Sequence, residues 1–129
     1  MAAPAYWLTF EERPGYLFVR VQGLTDSLET SINYWQEVML EVIAHRATRV
    51  LVQESFRNNI SSAGIIEIGQ FLADLAAQFK LVRLKIAFVD DDPGQFDRNR
   101  LSEQAAVDRG LNCKVFADFA EAEGWLLAD

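Results

Sequence analysis

The chain alternates between two hydrophobic periods. From Tyr6 to Glu11 apolar and polar residues alternate, with Tyr6, Leu8 and Phe10 on one side, a period of two that predicts a strand with one buried face. Arg13-Pro14-Gly15 is a turn signal, and Leu17, Val19 and Val21 then alternate against Phe18, Arg20 and Gln22. The two runs are expected to pair as an antiparallel hairpin. Gly23 and the polar Thr25-Asp26-Ser27 close it, and Asp26 and Glu29 have the spacing of a capping box. Leu28, Ile32, Trp35, Met39, Val42 and Ile43 then form the buried stripe of a helix. It should end near His45-Arg46, cations that suit the negative end of the helix dipole.

The next unit, Arg49 to Phe79, organises the rest. Val50, Leu51 and Val52 are a continuous apolar run, two of them β-branched, which suits a strand buried on both faces of a parallel sheet. The run is expected to stop at Glu54-Ser55, with Asn58-Asn59 as turn chemistry and Ser61 or Ser62 as a helix N-cap. Ile65, Ile68, Leu72, Leu75 and Phe79 recur at steps of three and four, opposite Glu67, Gln70, Asp74 and Gln78. At about 100° per residue they make one stripe facing the sheet. Ile66 falls off that stripe, beside the serines and Ala63, as an exposed apolar contact at the helix entrance.

Leu84 to Val89 gives a further core strand, stopped by Asp90-Asp91-Asp92-Pro93-Gly94. Phe96 to Arg109 is expected to be helical, with Gly110 as its stop. Cys113 to Phe116 is a last short strand, and Asp118 with Glu121 at capping-box spacing starts a terminal helix docked by Ala122, Trp125 and Leu126. The order β-β-α-β-α-β-α-β-α predicts an α/β fold: a mixed, mostly parallel sheet with an N-terminal antiparallel hairpin and helices packed against it. Sites in such sheets sit beyond the carboxyl ends of the parallel strands, here Glu54 to Ser62, Asp90 to Arg100, and Ala117-Asp118.

Composition narrows the function classes. At 129 residues residues 1–129 read as a single domain with room for a real core. No apolar run approaches the roughly 20 residues of a membrane span, and Met1-Ala2-Ala3-Pro4 lacks the basic residue and apolar segment of a secretory signal. The lone Cys113 forms no internal disulfide, so a cytoplasmic location is the expectation. A net charge of −7 and a pI near 4.7 disfavour nucleic acid and anionic membrane surfaces. Arg98 and Arg100, the one local basic cluster, are expected in a loop beside Asp90-Asp91-Asp92 and Asp97.

The order of elements and the stretch Ser61-Ser62-Ala63-Gly64-Ile65 resemble the STAS domains, the bacterial anti-sigma-factor-antagonist family, and most closely the SpoIIAA-like proteins grouped with them. The resemblance spans most of the chain. It rests on the hairpin with Gly23 before the first long helix, the strand Arg49 to Gln53, Ile-Ala-Phe-Val at 86–89, and Val-Phe-Ala-Asp-Phe-Ala-Glu-Ala-Glu-Gly-Trp-Leu at 115–126. Antagonist members carry Asp-Ser-Ser/Thr-x-Gly or Asp-Ser-Ser-Gly at this helix entrance, and a partner kinase phosphorylates the serine. Anchored on Gly64, the resemblance makes Ser62 the counterpart of the modified serine, while Ser61 stands where the motif has Asp. It implies a non-enzymatic regulatory domain whose protein partner, kinase or anti-sigma-like, meets Ser61, Ser62, Ala63 and Ile66. Some relatives of the fold are thought to bind apolar or lipid-like ligands, which makes a small carrier or sensor the alternative.

Each candidate has a plainer reading beside it. Ser61 and Ser62 are equally an N-cap pair, although phosphate at a helix N-terminus is favoured by the dipole and free N–H groups. Asp90-Asp91-Asp92 are clustered oxygen ligands of the kind hard cations want, but consecutive loop residues seldom converge, and a solvated strand end is expected instead. No metal is therefore assigned, and hydrolysis at Asp90 to Asp97 is a distant enzyme alternative. His45, the one histidine, is remote in sequence from the serines, and no Gly-x-Ser-x-Gly elbow is present. Cys113 is expected to be a buried inert thiol, and Trp7, Trp35 and Trp125 core anchors. No glycine-rich phosphate loop occurs, so no nucleotide cofactor is expected. One exposed apolar entrance leaves a homodimer open.

Overall fold

Val50, Val52 and Phe56 of the central strand turn to one side and Leu51 to the other, and all four are buried. The computed structural model describes residues 5–57 and 60–128. The Asn58-Asn59 turn and the Met1-Ala2-Ala3-Pro4 leader reading lie outside them. The elements are β1 (Tyr6–Arg13), β2 (Tyr16–Thr25), α1 (Leu28–His45), β3 (Arg49–Arg57), α2 (Ser62–Gln78), β4 (Lys85–Asp90), a 3-10 turn (Pro93–Gln95), α3 (Phe96–Asp108), β5 (Asn112–Phe116) and α4 (Phe119–Leu127).

One five-stranded sheet runs in sequence order, β1-β2-β3-β4-β5. β1 and β2 are antiparallel, from Tyr6 opposite Gly23 to Arg13 opposite Tyr16, and the remaining pairs are parallel. The expected mixed, mostly parallel α/β fold is the one observed. When parallel strands follow one another as neighbours, crossovers of one hand leave their helices on one face. Accordingly Tyr34, Trp35, Val38 and Met39 of α1, Ile65, Ile68 and Leu72 of α2, and Ala106 of α3 share a core over that face. α4 covers the other face, where Ala122 and Leu126 pack on Tyr16, Phe18, Leu51, Ala87 and Val89.

This arrangement accounts for several departures from the sequence reading. Phe18, expected on the polar side of β2, is buried because α4 lies there, its ring 5.7 Å from Phe119. Ile43, expected in the α1 stripe, is exposed, and so is Phe79 at the end of α2. α1 packs over β2 and β1, and among the described residues no strand lies beyond that flank. Trp7, expected as a core anchor, is 51% exposed on that edge strand, whereas Trp35 is buried. Trp125 is half-buried, with Lys85 Nζ 4.4 Å from its ring centre. Asp26 does not cap α1. Ser27 does, its hydroxyl accepting from Thr30 N at 3.1 Å, while Asp26 turns into the core. Arg98 and Arg100 lie on α3 rather than in a loop. Gly110 ends that helix at a φ of +95°, a conformation open to glycine, and Asp118 caps α4 as its spacing predicts.

Candidate functional site

The expected strand end at Glu54 is not an end. β3 continues to Arg57, and the inward row Val50, Val52, Glu54, Phe56 keeps strict alternation, so Glu54 is carried into the core and is only 4% exposed. Glu54 is the register partner of Asp90, the last residue of β4. Residues paired across neighbouring strands project to the same face, and this pair therefore sets two carboxyls side by side. Asp26, just past β2, is the third member. Its backbone N–H donates to Arg57 O at 3.0 Å, which binds the end of β2 to β3. All three acids are buried, and Asp90, expected as part of a solvated strand end, is corrected by this placement.

Each carboxyl has a neutral donor. Tyr34 Oη of α1 donates to Glu54 Oε2. Ser31 Oγ, one turn earlier, lies 2.9 and 2.8 Å from the two oxygens of Asp26, which also accepts from Ser27 N at 2.8 Å. Asp90 accepts from Asn99 Nδ2 of α3 at 3.2 Å and from Asp92 N at 2.8 Å. Hydrogen bonds to a carboxylate favour its charged form, but burial and like charges disfavour it. Burial is the larger effect for all three. It pushes Asp26 up to about 6, with the Asp90 charge adding to it. Burial and then the Asp26 and Asp90 charges raise Glu54 well above the ordinary carboxylate range, against the pull of Tyr34. Asp90 is raised chiefly by burial, and Tyr34 by burial and then by the Glu54 charge. Burial thus favours the protonated form of each of the three acids.

Asp26 and Glu54 line a cavity of about 50 Å³ between the sheet and α1, α2 and α3, whose apolar wall includes Ile60, Ile65, Ile68 and Leu72. That space suits a few waters. Pockets for drug-sized ligands run to roughly 300–1,000 Å³, so this cavity as folded is too small for a lipid-like molecule. Cys113, half-buried in the same wall, has a thiol pushed up to about 12 by burial, which leaves it inert at neutral pH.

The α2 entrance closes this cavity from above. Ile60 and Ile65 point inward, and between them Ser61, Ser62 and Ala63 are exposed. Ser61 is the N-cap, its Oγ accepting from Gly64 N at 3.1 Å. Serine and aspartate are near-equal caps, so Ser61 keeps the local chemistry of a motif Asp without its charge. Ser62, the first helical residue, takes no part in the cap, and Ile66 one turn on is 37% exposed. Ser61, Ser62, Ala63 and Ile66 therefore occupy one exposed helix entrance.

The other candidates lie apart. His45 ends α1 and pairs with Glu12 at 2.7 Å and Glu41 at 3.2 Å. Glu12 is next to the β1–β2 turn, so His45 stands at the amino ends of the parallel strands and the serines at the carboxyl ends. The three consecutive aspartates diverge: Asp90 goes inward, Asp91 pairs with Arg20 at 2.9 Å, and Asp92 caps the 3-10 turn through Gly94 N at 2.9 Å. Among the described residues no group of three or more His, Cys, Asp or Glu is placed to hold a metal ion. No helix among them is long and apolar enough to cross a membrane.

No family model and no curated protein matches the chain. Among solved structures it is similar to an uncharacterized protein of the DUF3478 family with a SpoIIAA-like fold from Shewanella loihica PV-4. The identity is 14%, the TM-score 0.53, and the match covers 98% of each chain. At that identity the likeness concerns the fold. The hairpin-led sheet, three helices on one face and the closing helix on the other are therefore a SpoIIAA-like fold.

Proposed function

We propose that the protein is a STAS-like regulatory domain, not an enzyme, which binds a protein partner through the α2 entrance. The observation that carries this reading is the division of labour between the two serines. Ser61 is committed to capping, while Ser62, Ala63 and Ile66 face outward together with no role in the core. An exposed isoleucine beside a hydroxyl and a small residue gives a partner apolar area and a polar anchor. Ser62 is also a modification site the fold tolerates. A phosphate there meets the free N–H groups and the positive end of α2, and changes the surface by nearly two charges. The partner is then a kinase or an anti-sigma-like protein.

The test begins with the protein taken from its own cells and weighed intact under native conditions. A phosphate mapped to Ser62, or a bound protein, supplies the partner to assay. Ser62→Asp and Ile66→Asp are expected to weaken capture of that partner with little change in melting temperature, because both side chains are outside the core. Unchanged capture by both variants removes the reading.

A further inference from the structure

A second surface lies at the flank of the sheet, away from the α2 entrance and independent of the proposal above. β1 is the terminal strand, and its outer edge has no strand partner among the described residues. It is paired to β2 over all eight residues without a bulge. Edge strands are usually blunted by prolines, bulges or inward charges. Here the charges are confined to Glu11, Glu12 and Arg13 beside the turn, and Tyr6 to Phe10 carries none.

The inner face of that uncharged half is only partly covered. Between it and α1 runs an open groove of about 640 Å³, with Tyr6, Leu8 and Phe10 half-buried along its floor and Leu40, 59% exposed, on its wall. Among the described residues that line it, Glu37 and Glu41 are the charged ones and none is basic. Glu37 accepts from the neutral Tyr6 Oη at 2.7 Å, and Glu41 shares His45 with Glu12. The groove is therefore apolar along the strand and negative along the helix.

We propose that the β1 edge is a docking site for an extended, basic segment of another protein, added to the sheet as a sixth strand. Its backbone would satisfy the free edge of β1. Alternate apolar side chains would seat between Leu8, Phe10 and Leu40, and its lysines or arginines would face Glu37 and Glu41. Backbone pairing gives such complexes affinity, and the alternating pockets give them specificity. An extended segment fits better than a helix, because a helix would leave the edge N–H and C=O groups of β1 unpaired.

The probe is a short synthetic peptide alternating valine with threonine and flanked by lysines, compared with the same peptide flanked by glutamates and with an N-methylated version. Binding is read by amide hydrogen exchange and by NMR shifts of the full-length protein. The lysine peptide is expected to slow exchange in β1, to weaken with added salt, and to bind at least about tenfold more tightly than either control, a gap of the size one charge-assisted contact supplies. Leu40→Lys, at an exposed position, takes away the apolar wall and sets a cation against the peptide's lysines, and should abolish binding with the fold intact. Equal binding of lysine and glutamate peptides, peptide protection outside β1, or full binding by Leu40→Lys would overturn the proposal. So would concentration-dependent protection of β1 without peptide, which would make a second copy of this chain the occupant.

Discussion

Replacing Asp26 with asparagine tests the buried acid cluster directly. Asp26 is held at about 6 against an ordinary 3.8, so the folded protein binds a proton more tightly than the unfolded chain between those values. The sign follows: the stability this group contributes is complete below about pH 4 and is lost as pH rises through about 6. A rise of this size corresponds to about 3 kcal/mol, with a steepest slope near 1.4 kcal/mol per pH unit. The substituted amide is neutral at every pH and keeps an oxygen for Ser27 N, while the Ser31 hydroxyl can rotate to accept from its NH₂ group. The change also removes a negative neighbour from Glu54, which should therefore titrate lower. Urea unfolding of the two proteins across about pH 4 to 7.5 provides the assay, because carboxylates elsewhere cancel in the difference. Asp26→Asn is expected to be near or slightly below wild type at the acid end and to gain on it steadily, by about 2–3 kcal/mol at the neutral end. A difference that does not change with pH would refute the reasoning, since it would mean that Asp26 folds with its ordinary affinity for protons.

Two further substitutions test the frame around the site. An alanine in place of Gly69 would put its Cβ 2.1 Å from Ser102 O on the backbone of α3, so α2 and α3 must separate; overpacking of this kind costs about 1–3 kcal/mol and outweighs the gain in helix propensity of about 1 kcal/mol. A chemical melt showing Gly69→Ala as stable as wild type would mean the two helices do not meet there. Ser61→Ala should cost about 1 kcal/mol through loss of the cap, and Ser62→Ala less than about 0.5 kcal/mol. The opposite ranking in urea melts would transfer the cap to Ser62 and leave Ser61 as the free hydroxyl.

The Glu54 row shows where sequence reading stopped short and why. Val50, Val52, Glu54 and Phe56 alternate in the sequence itself, and carrying that period one position past Gln53 would have put a carboxylate in the core. A buried acid is improbable without a partner, and the partner is Tyr34, twenty positions earlier, while the neighbouring charges of Asp26 and Asp90 favour its protonated form. None of these is local. The helix entrance was legible for the opposite reason: a cap, an exposed serine and an off-stripe isoleucine are properties of a few consecutive residues.

The same distinction applies to the whole fold. Periods of two and of three to four fixed the strands and helices, the turn glycines and capping residues fixed most of their ends, and element order fixed a mixed sheet, because each of these follows from local backbone geometry. Tertiary structure alone decided which faces were covered. It put α4 behind Phe18, left Trp7, Leu40 and Ile43 bare at the β1 flank, and brought Asp26, Glu54 and Asp90 from three separate stretches of the chain into one cluster. Burial and charge proximity arise from contacts between residues far apart in the chain, and no short stretch of sequence contains them.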